Sequence, residues 1–311
     1  MTGLFRASLA ASLIVAHIID TMKSSRLAVA VAMSFSLCAF AADVRRGDVF
    51  RTATMQFIMC PTPPIGALYS RTLDFKDYAE TGDAIAFDGL GNLYSVELMT
   101  TFITVDPMLQ PIRRVPLPEV SSSITVDSAG FAYILGESGT MYVYSPAGMF
   151  QRSFTLPNLF LPARNVSIDI GNDGCTLFYV GVAGAASRFN ACSGVALPAL
   201  VPNERFLAIR ALADGGFVAS TGNELHFYDS SGHLAAQISL PNTDHIATLA
   251  FDLDPDYLWI GTEDQLLRMN IRDHSIAAKT NLIEPHHVAV YGETRPSAAI
   301  FPPAKRHGTR H

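Results

Sequence analysis

The segment Asp83-Ala-Ile-Ala-Phe-Asp-Gly-Leu-Gly-Asn-Leu-Tyr94 joins one short apolar run to another through a polar turn that contains glycine. The same layout returns at Ser123-Ile-Thr-Val-Asp-Ser-Ala-Gly-Phe-Ala-Tyr133 and then in looser copies. With the turn glycine as marker, the copies fall at Gly91, Gly130, Gly174 and Gly215, and Pro255 holds that place in a fifth, so the spacings are 39, 44, 41 and 40 residues. A period near 40 residues means that each unit buries its faces against its neighbours and not in one common core. This restricts the chain to a closed or stacked array of small sheets.

Each unit reads as four short strands rich in aromatic and β-branched residues, with Gly, Pro, Asn, Asp and Ser between them. In the second unit these are Ile124 to Asp127, Phe131 to Gly136, Thr140 to Ser145 and Gln151 to Leu156. The fourth strand often ends in Leu-Pro, as at Leu117-Pro118, Leu156-Pro157 and Leu240-Pro241. Proline suits an outermost strand, which donates to no further ladder. A sixth copy starts at His286-His-Val-Ala-Val-Tyr291 but lacks room for its other strands. The fold expected is therefore all-β, a six-bladed β-propeller of four-stranded blades. Its ring closes by pairing the C-terminal inner strand with outer strands from the N-terminus, which removes the open edge. An all-β sandwich is the rival architecture, and it leaves the period unexplained.

At 311 residues the chain exceeds the size at which single cores stop growing, about 250–300 residues, a limit that repeats escape. A hydrophobic share of 49%, a charged share of 16% and a net charge of −6 describe an ordered protein with no basic face for nucleic acid. Residues 1–41 read as a signal peptide region. Met22-Lys-Ser-Ser-Arg26 is a basic start, Leu27 to Leu37 an apolar run, and Ala39-Phe-Ala41 a small-residue end, with translation starting at Met22 and cleavage before Ala42. The expected domains are then a propeller at 42–294 and a disordered basic tail at 295–311. The mature protein is expected to be secreted or periplasmic and monomeric, with no membrane span after cleavage.

Export permits disulfides. Cys175 and Cys192 flank a hairpin centred on Ala183-Gly184, in a register that sets Phe178 opposite Phe189 and Val180 opposite Ser187. A Cys175–Cys192 bond is expected there, contributing about 2–4 kcal/mol, and Cys60 is left as an idle thiol. Trp259 reads as a core residue, and Asp252-Leu-Asp-Pro-Asp256 as a polar turn.

Ile85-Ala-Phe-Asp88 followed by Gly91-Asn-Leu-Tyr94, with Ile124-Thr-Val-Asp127 as a second match, resembles the blades of the NHL, gluconolactonase-like and YVTN-type propellers. Gly171 and Leu212 stand where the third and fourth units would carry that aspartate. The resemblance spans residues 83–291 and implies fold more than function, since such propellers include lactonases, lyases, adhesins and scaffolds. The gluconolactonase-like members hold a metal on channel Glu, Asn and Asp, and no matching Glu or Asp is identified here. The virginiamycin-lyase-like members use His and Glu near the mouth, loosely echoed by His245, His286 and Glu284.

Loops entering the inner strands gather at one mouth of a propeller channel. The residues there are Asp83, Ser122, Asn165, Glu204, Arg205, Asp244, His245, Glu284, His286 and His287. Such a ring could bind a divalent cation such as Ca²⁺, or supply acid–base groups; equally, these are polar loop residues in water. No cofactor is required. Asp169 and Arg210 share one inner-strand register with Ala86, Thr125, Ala250 and Ala289. Burial of either charge alone is costly, so they should pair or both reach channel water. The function expected is binding of a small molecule, glycan or protein at the mouth. The alternatives are a metal-dependent lactonase- or lyase-like enzyme and a passive scaffold or adhesion module.

Overall fold

The computed structural model describes residues 82–300 with gaps at 98, 109–110, 160, 164–165, 203, 241–242, 244, 263 and 282–286, and before them Arg46 and three short strands. Residues 1–45, the rest of 47–81 and 301–311 lie outside the described residues, and with them the signal region, Cys60 and most of the expected tail. The N-terminal strands are β1 (Val49–Arg51), β2 (Gln56–Phe57) and β3 (Arg71–Thr72). Blade one is β4 (Gly82–Phe87), β5 (Leu93–Glu97), β6 (Thr101–Val105) and β7 (Pro111–Pro116). Blade two is β8 (Ser121–Val126), β9 (Ala132–Gly136), β10 (Thr140–Tyr144) and β11 (Phe150–Thr155). Blade three is β12 (Ile168–Ile170), β13 (Thr176–Val180), β14 (Ala186–Asn190) and β15 (Val195–Val201). Blade four is β16 (Ile209–Ala211), β17 (Phe217–Thr221), β18 (Glu224–Tyr228) and β19 (Leu234–Ser239). Blade five is β20 (Ile246–Phe251), β21 (Tyr257–Thr262), β22 (Gln265–Asn270) and β23 (Ile276–Asn281), and β24 (Val288–Val290) follows.

Among the described residues the count of complete blades is five, which corrects the expected six: five sheets there consist of four consecutive strands. The place of a sixth is taken by a sheet assembled from both ends of the chain, in the order β24-β1-β2-β3. Its strands are only three, three, two and two residues long, and the β1–β2 and β2–β3 ladders hold two residue pairs each. β24 pairs antiparallel with β1, Val49 opposite Val290 and Arg51 opposite Val288. β24 also touches both β20 and β4, so the inner strands close on themselves.

Hydrophobic burial joins neighbouring blades more than it fills any one of them. Val96 and Phe102 of blade one cluster with Ile124 and Ile134 of blade two. Leu135 and Val143 of blade two meet Ile170 and Leu177 of blade three. Phe178 packs on Phe217, and Leu225 and Phe227 cluster with Leu249 and Leu258. Polar contacts complete the seams. An inner strand has no ladder on its channel side, and its backbone groups there need other partners. Side-chain hydroxyls supply them. Ser123 Oγ donates to Val166 O at 2.6 Å, and Ser167 Oγ accepts from Ile209 N at 3.0 Å. Ser220 Oγ donates to Ile246 O at 3.2 Å, and Thr248 Oγ1 accepts from Val288 N at 3.3 Å.

The repeated aspartate closes the turn after the inner strand. Asp88 Oδ1 accepts the amides of Leu90 (2.8 Å) and Asn92 (2.9 Å), while Oδ2 accepts Asn92 Nδ2 (2.7 Å) and the Tyr94 hydroxyl (3.0 Å). Gly91 sits in the left-handed region at φ 88°, which the turn requires. Asp127 takes the amides of Ala129 and Phe131 and the Tyr133 hydroxyl. Asp252 takes the Trp259 indole N–H at 2.7 Å and both Arg268 Nε and NH2. Gly171 and Leu212 hold that place in blades three and four. There the aromatic donor of the second strand is replaced as well, because Phe178 and Val218 stand in the register of Tyr94, Tyr133 and Trp259. Carboxylate and donor are lost together, so neither is stranded.

Cys175 and Cys192 form a disulfide with Cα atoms 5.1 Å apart. The hairpin register differs from expectation by one residue: Phe178 lies opposite Arg188, and Val180 opposite Ala186. The turn is centred on Ala183, where Gly184 N bonds Gly181 O, so the two cysteines join diagonally across the end of the ladder.

Asp252→Ala strands a buried indole N–H and an arginine, and should cost about 3 kcal/mol in denaturant unfolding. Tyr94→Phe leaves Asp88 its other donors and should cost about 1 kcal/mol. Equal costs at the two sites would contradict the described role of the aspartate ties.

Candidate functional site: the central channel

Each inner strand runs from an entry loop at one mouth to a turn at the other, the turn that Asp88, Asp127 and Asp252 close in blades one, two and five. The entry mouth carries most of the sequence candidates. Asn165, Asp244, Glu284 and His286 lie outside the described residues, as does the side chain of Asp83, whose backbone belongs to β4. His245 and His287 are half-buried immediately before β20 and β24. Among the described residues, no three His, Cys, Asp or Glu side chains come together as metal ligands.

The channel wall itself brings Asp169 and Arg210 together. Arg210 Nε donates to Asp169 Oδ2 at 3.0 Å. Asp169 is 1% exposed, and five donors replace its lost water. Oδ1 accepts Thr125 Oγ1 (3.1 Å), Ile170 N (2.9 Å) and Arg295 NH2 (3.1 Å); Oδ2 accepts Arg210 Nε and Ala211 N (2.8 Å). Arg210 reaches onward to Leu249 O at 3.2 Å and to Glu293, and its guanidinium lies 5.4 Å from the centre of the Phe251 ring. Burial alone would raise the Asp169 carboxyl, but the Arg210 and Arg295 charges and the Ala211 amide outweigh it and hold the group below the ordinary carboxylate range. Burial likewise opposes the Arg210 charge, and Asp169 with Glu293 more than restores it.

Glu293 and Arg295 are the residues that the sequence did not reveal. The chain does not leave the fold at 294, as the expected tail boundary would have it. After β24 and the Gly292 turn it crosses the channel end. Thr294 N bonds Asp252 O of blade five, and Ala213 N of blade four bonds Pro296 O. Asp214 Oδ2 accepts Ser297 Oγ and Ala298 N, and Ala298 is buried in the seam between blades four and five. This strap carries Glu293 to Arg210 and Arg295 to Asp169 and Ile170 O. The only sequence signal for it was two opposite charges placed directly after the last inner strand.

The ionic cluster occupies one side of the channel. On the other side, Ala86 and Ala289 stand in the same register with short side chains, and the space left is a cavity of about 210 Å³ at the turn end. Its rim includes Gly89, Ser128, Asn172 and Gly292. The charges of Asp169, Glu293, Arg210 and Arg295 balance one another, and Asp88 and Asp127 add two further carboxylates to the lining, so the cavity has a net negative wall.

Sheets in ring order around a channel define a β-propeller. No protein-family model and no curated protein sequence matches the chain. A solved structure titled "Structure of U3-55K" is similar over 61% of this chain and 61% of that one, at 11% identity and a TM-score of 0.48, so the chain spans about three fifths of that structure's length.

The Asp169 ion pairs also set an acid limit. The Asp169 carboxyl is lower in the folded state, so its contribution is complete above the unfolded value, near 4, and is lost as pH falls through the folded one. Asp169→Asn should therefore cost about 3–5 kcal/mol at pH 7 and progressively less toward strong acid. Urea unfolding of both proteins at several pH values measures this; a gap that widens in acid would contradict it.

Proposed function

We propose that the protein is an exported propeller that works as a binding module, taking a small molecule, a glycan or an exposed segment of a protein partner at the turn-end mouth of its channel. The observation that carries this reading is the arrangement of the channel. Asp169, Arg210, Glu293 and Arg295 are engaged with one another, which makes a fixed floor, and the short residues beside them leave an open cavity with a polar rim. A preformed concave site with few, placed polar groups is what small-ligand recognition uses. The Cys175–Cys192 bond supports an oxidising compartment outside the cytoplasm. Among the described residues no helix is long and apolar enough to cross a membrane. The blade motif at 85–94 supports kinship with the NHL-like propellers, whose members include both binders and enzymes.

Gly89 gives a clean test, because a Cβ added there meets nothing within 4 Å and its backbone is not left-handed. Gly89→Trp should therefore block the rim and leave the thermal midpoint unchanged. The wild-type protein is first screened on glycan, metabolite and protein arrays. Binding that Gly89→Trp reduces at least about tenfold, roughly 1.4 kcal/mol, supports the reading. Silence of the wild type on all arrays, or binding untouched by the substitution, overturns it.

A further inference from the structure

A second cluster of titratable groups lies on blade four, around the third residue of β18. His226 stands in β18 between Ala219 of β17 and Gln237 of β19. Its Nδ1 lies 3.0 Å from Glu204 Oε2 and 3.2 Å from the Tyr228 hydroxyl, and its Nε2 lies 3.2 Å from Glu224 Oε2. The Tyr228 hydroxyl donates to the same Glu204 oxygen at 2.7 Å, and the Ser239 hydroxyl donates to Glu224 Oε1 at 3.0 Å. Glu204 belongs to the segment that enters blade four, between β15 and β16, whereas Glu224 opens β18 at the neighbouring turn. The imidazole therefore bridges two separate pieces of the entry side.

Each ring nitrogen faces a carboxylate oxygen, and an ionised carboxylate can only accept. A neutral imidazole has a single N–H, so it can satisfy one of the two contacts and must turn a lone pair toward the other. Only the imidazolium fits both. From this geometry we infer that His226 is a pH-responsive clasp. Its charged form ties Glu204 and Glu224 together across the entry side of blade four, and its neutral form releases Glu224. Glu224 is the one released because the Glu204 side keeps more: the proton on Nδ1 and the Tyr228 hydroxyl converge on one oxygen, at 3.0 and 2.7 Å. With Nδ1 protonated, the bare Nε2 faces Glu224 and repels it.

Two of the groups facing His226, Tyr228 and Glu224, hold their charge while it changes. Burial, and then the hydrogen bond to Glu204, push the Tyr228 hydroxyl well above its ordinary range. The Ser239 hydroxyl and then His226 hold the Glu224 carboxyl below its own. An imidazole titrates between about pH 5 and 8, where neither of these does. The clasp is closed on the acid side and opens as pH rises, exposing an additional free carboxylate at the entry side.

The test uses the full mature chain and two readouts. Imidazole ¹⁵N shifts of His226 should show both nitrogens protonated at pH 5 and a neutral ring protonated at Nδ1 at pH 8, and the Glu224 side-chain carboxyl ¹³C shift should follow the same transition. In parallel, wild type and Glu224→Gln are unfolded in urea. The wild type should exceed the variant in folding equilibrium constant by about fivefold at pH 5.5, an advantage that vanishes or reverses at pH 8. A Glu224 carboxyl that ignores the His226 transition, a neutral ring protonated at Nε2, or a stability difference independent of pH would each overturn the clasp.

Discussion

Asp169 is a carboxylate removed from water, and a carboxylate so placed is tolerable only where donors replace the lost hydration. Five do so, drawn from three blades and the strap that follows the last inner strand. The rest of the channel is arranged around that requirement. Arg210 supplies one countercharge but is itself buried, and it draws Glu293 to its far side. Arg295 supplies the other, and the need to deliver both strap residues fixes the path of 291–298 beneath blades five and four. Removal of one partner would leave an uncompensated charge in the wall. The cluster therefore ties the strap to blades two, three and four with more consequence than its net energy suggests.

Around this centre the blades are held by two kinds of periodic contact. Apolar side chains fill the seams, and hydroxyls at Ser123, Ser167, Ser220 and Thr248 satisfy inner-strand backbone groups that have no ladder to join. Within a blade, the turn aspartate gathers the turn amides and one polar aromatic hydrogen. Blades three and four lack both members of that pair, and these are the blades whose inner strands carry Asp169 and Arg210. The departure from the repeat is coherent: polarity has moved from the turn into the channel wall.

Much of this was legible in the chain. The 40-residue period specified small stacked sheets, and the Asp and Gly of residues 88–91 marked the inner-strand turn in advance of any coordinate. The pairing of Asp169 with Arg210 followed from two charges that replace alanine or threonine at one register. Other features were not legible, for physical reasons. Hairpin register at Cys175–Cys192 depends on which residue tops the turn, and a one-residue difference costs nothing in cysteine proximity. Glu293 and Arg295 carry no periodic signal, since their partners lie 83 and 126 residues away, and a Pro-containing segment after the last strand reads as a tail. The number of complete blades depended on N-terminal strands that pair over only two or three residues. The cavity arises from short side chains at the turn end, whereas polar loop residues drew attention to the entry mouth.

Strap and wall form one ionic unit that fixes the channel. A double-mutant cycle between Asp169→Asn and Arg295→Gln, measured by urea unfolding at pH 7, addresses it directly. Neighbours in one buried network couple by about 0.5–3 kcal/mol, and this pair should fall at the upper end, near 2 kcal/mol. Coupling of less than about 0.5 kcal/mol would mean that the two residues act independently, and would contradict a channel locked by its own C-terminal strap.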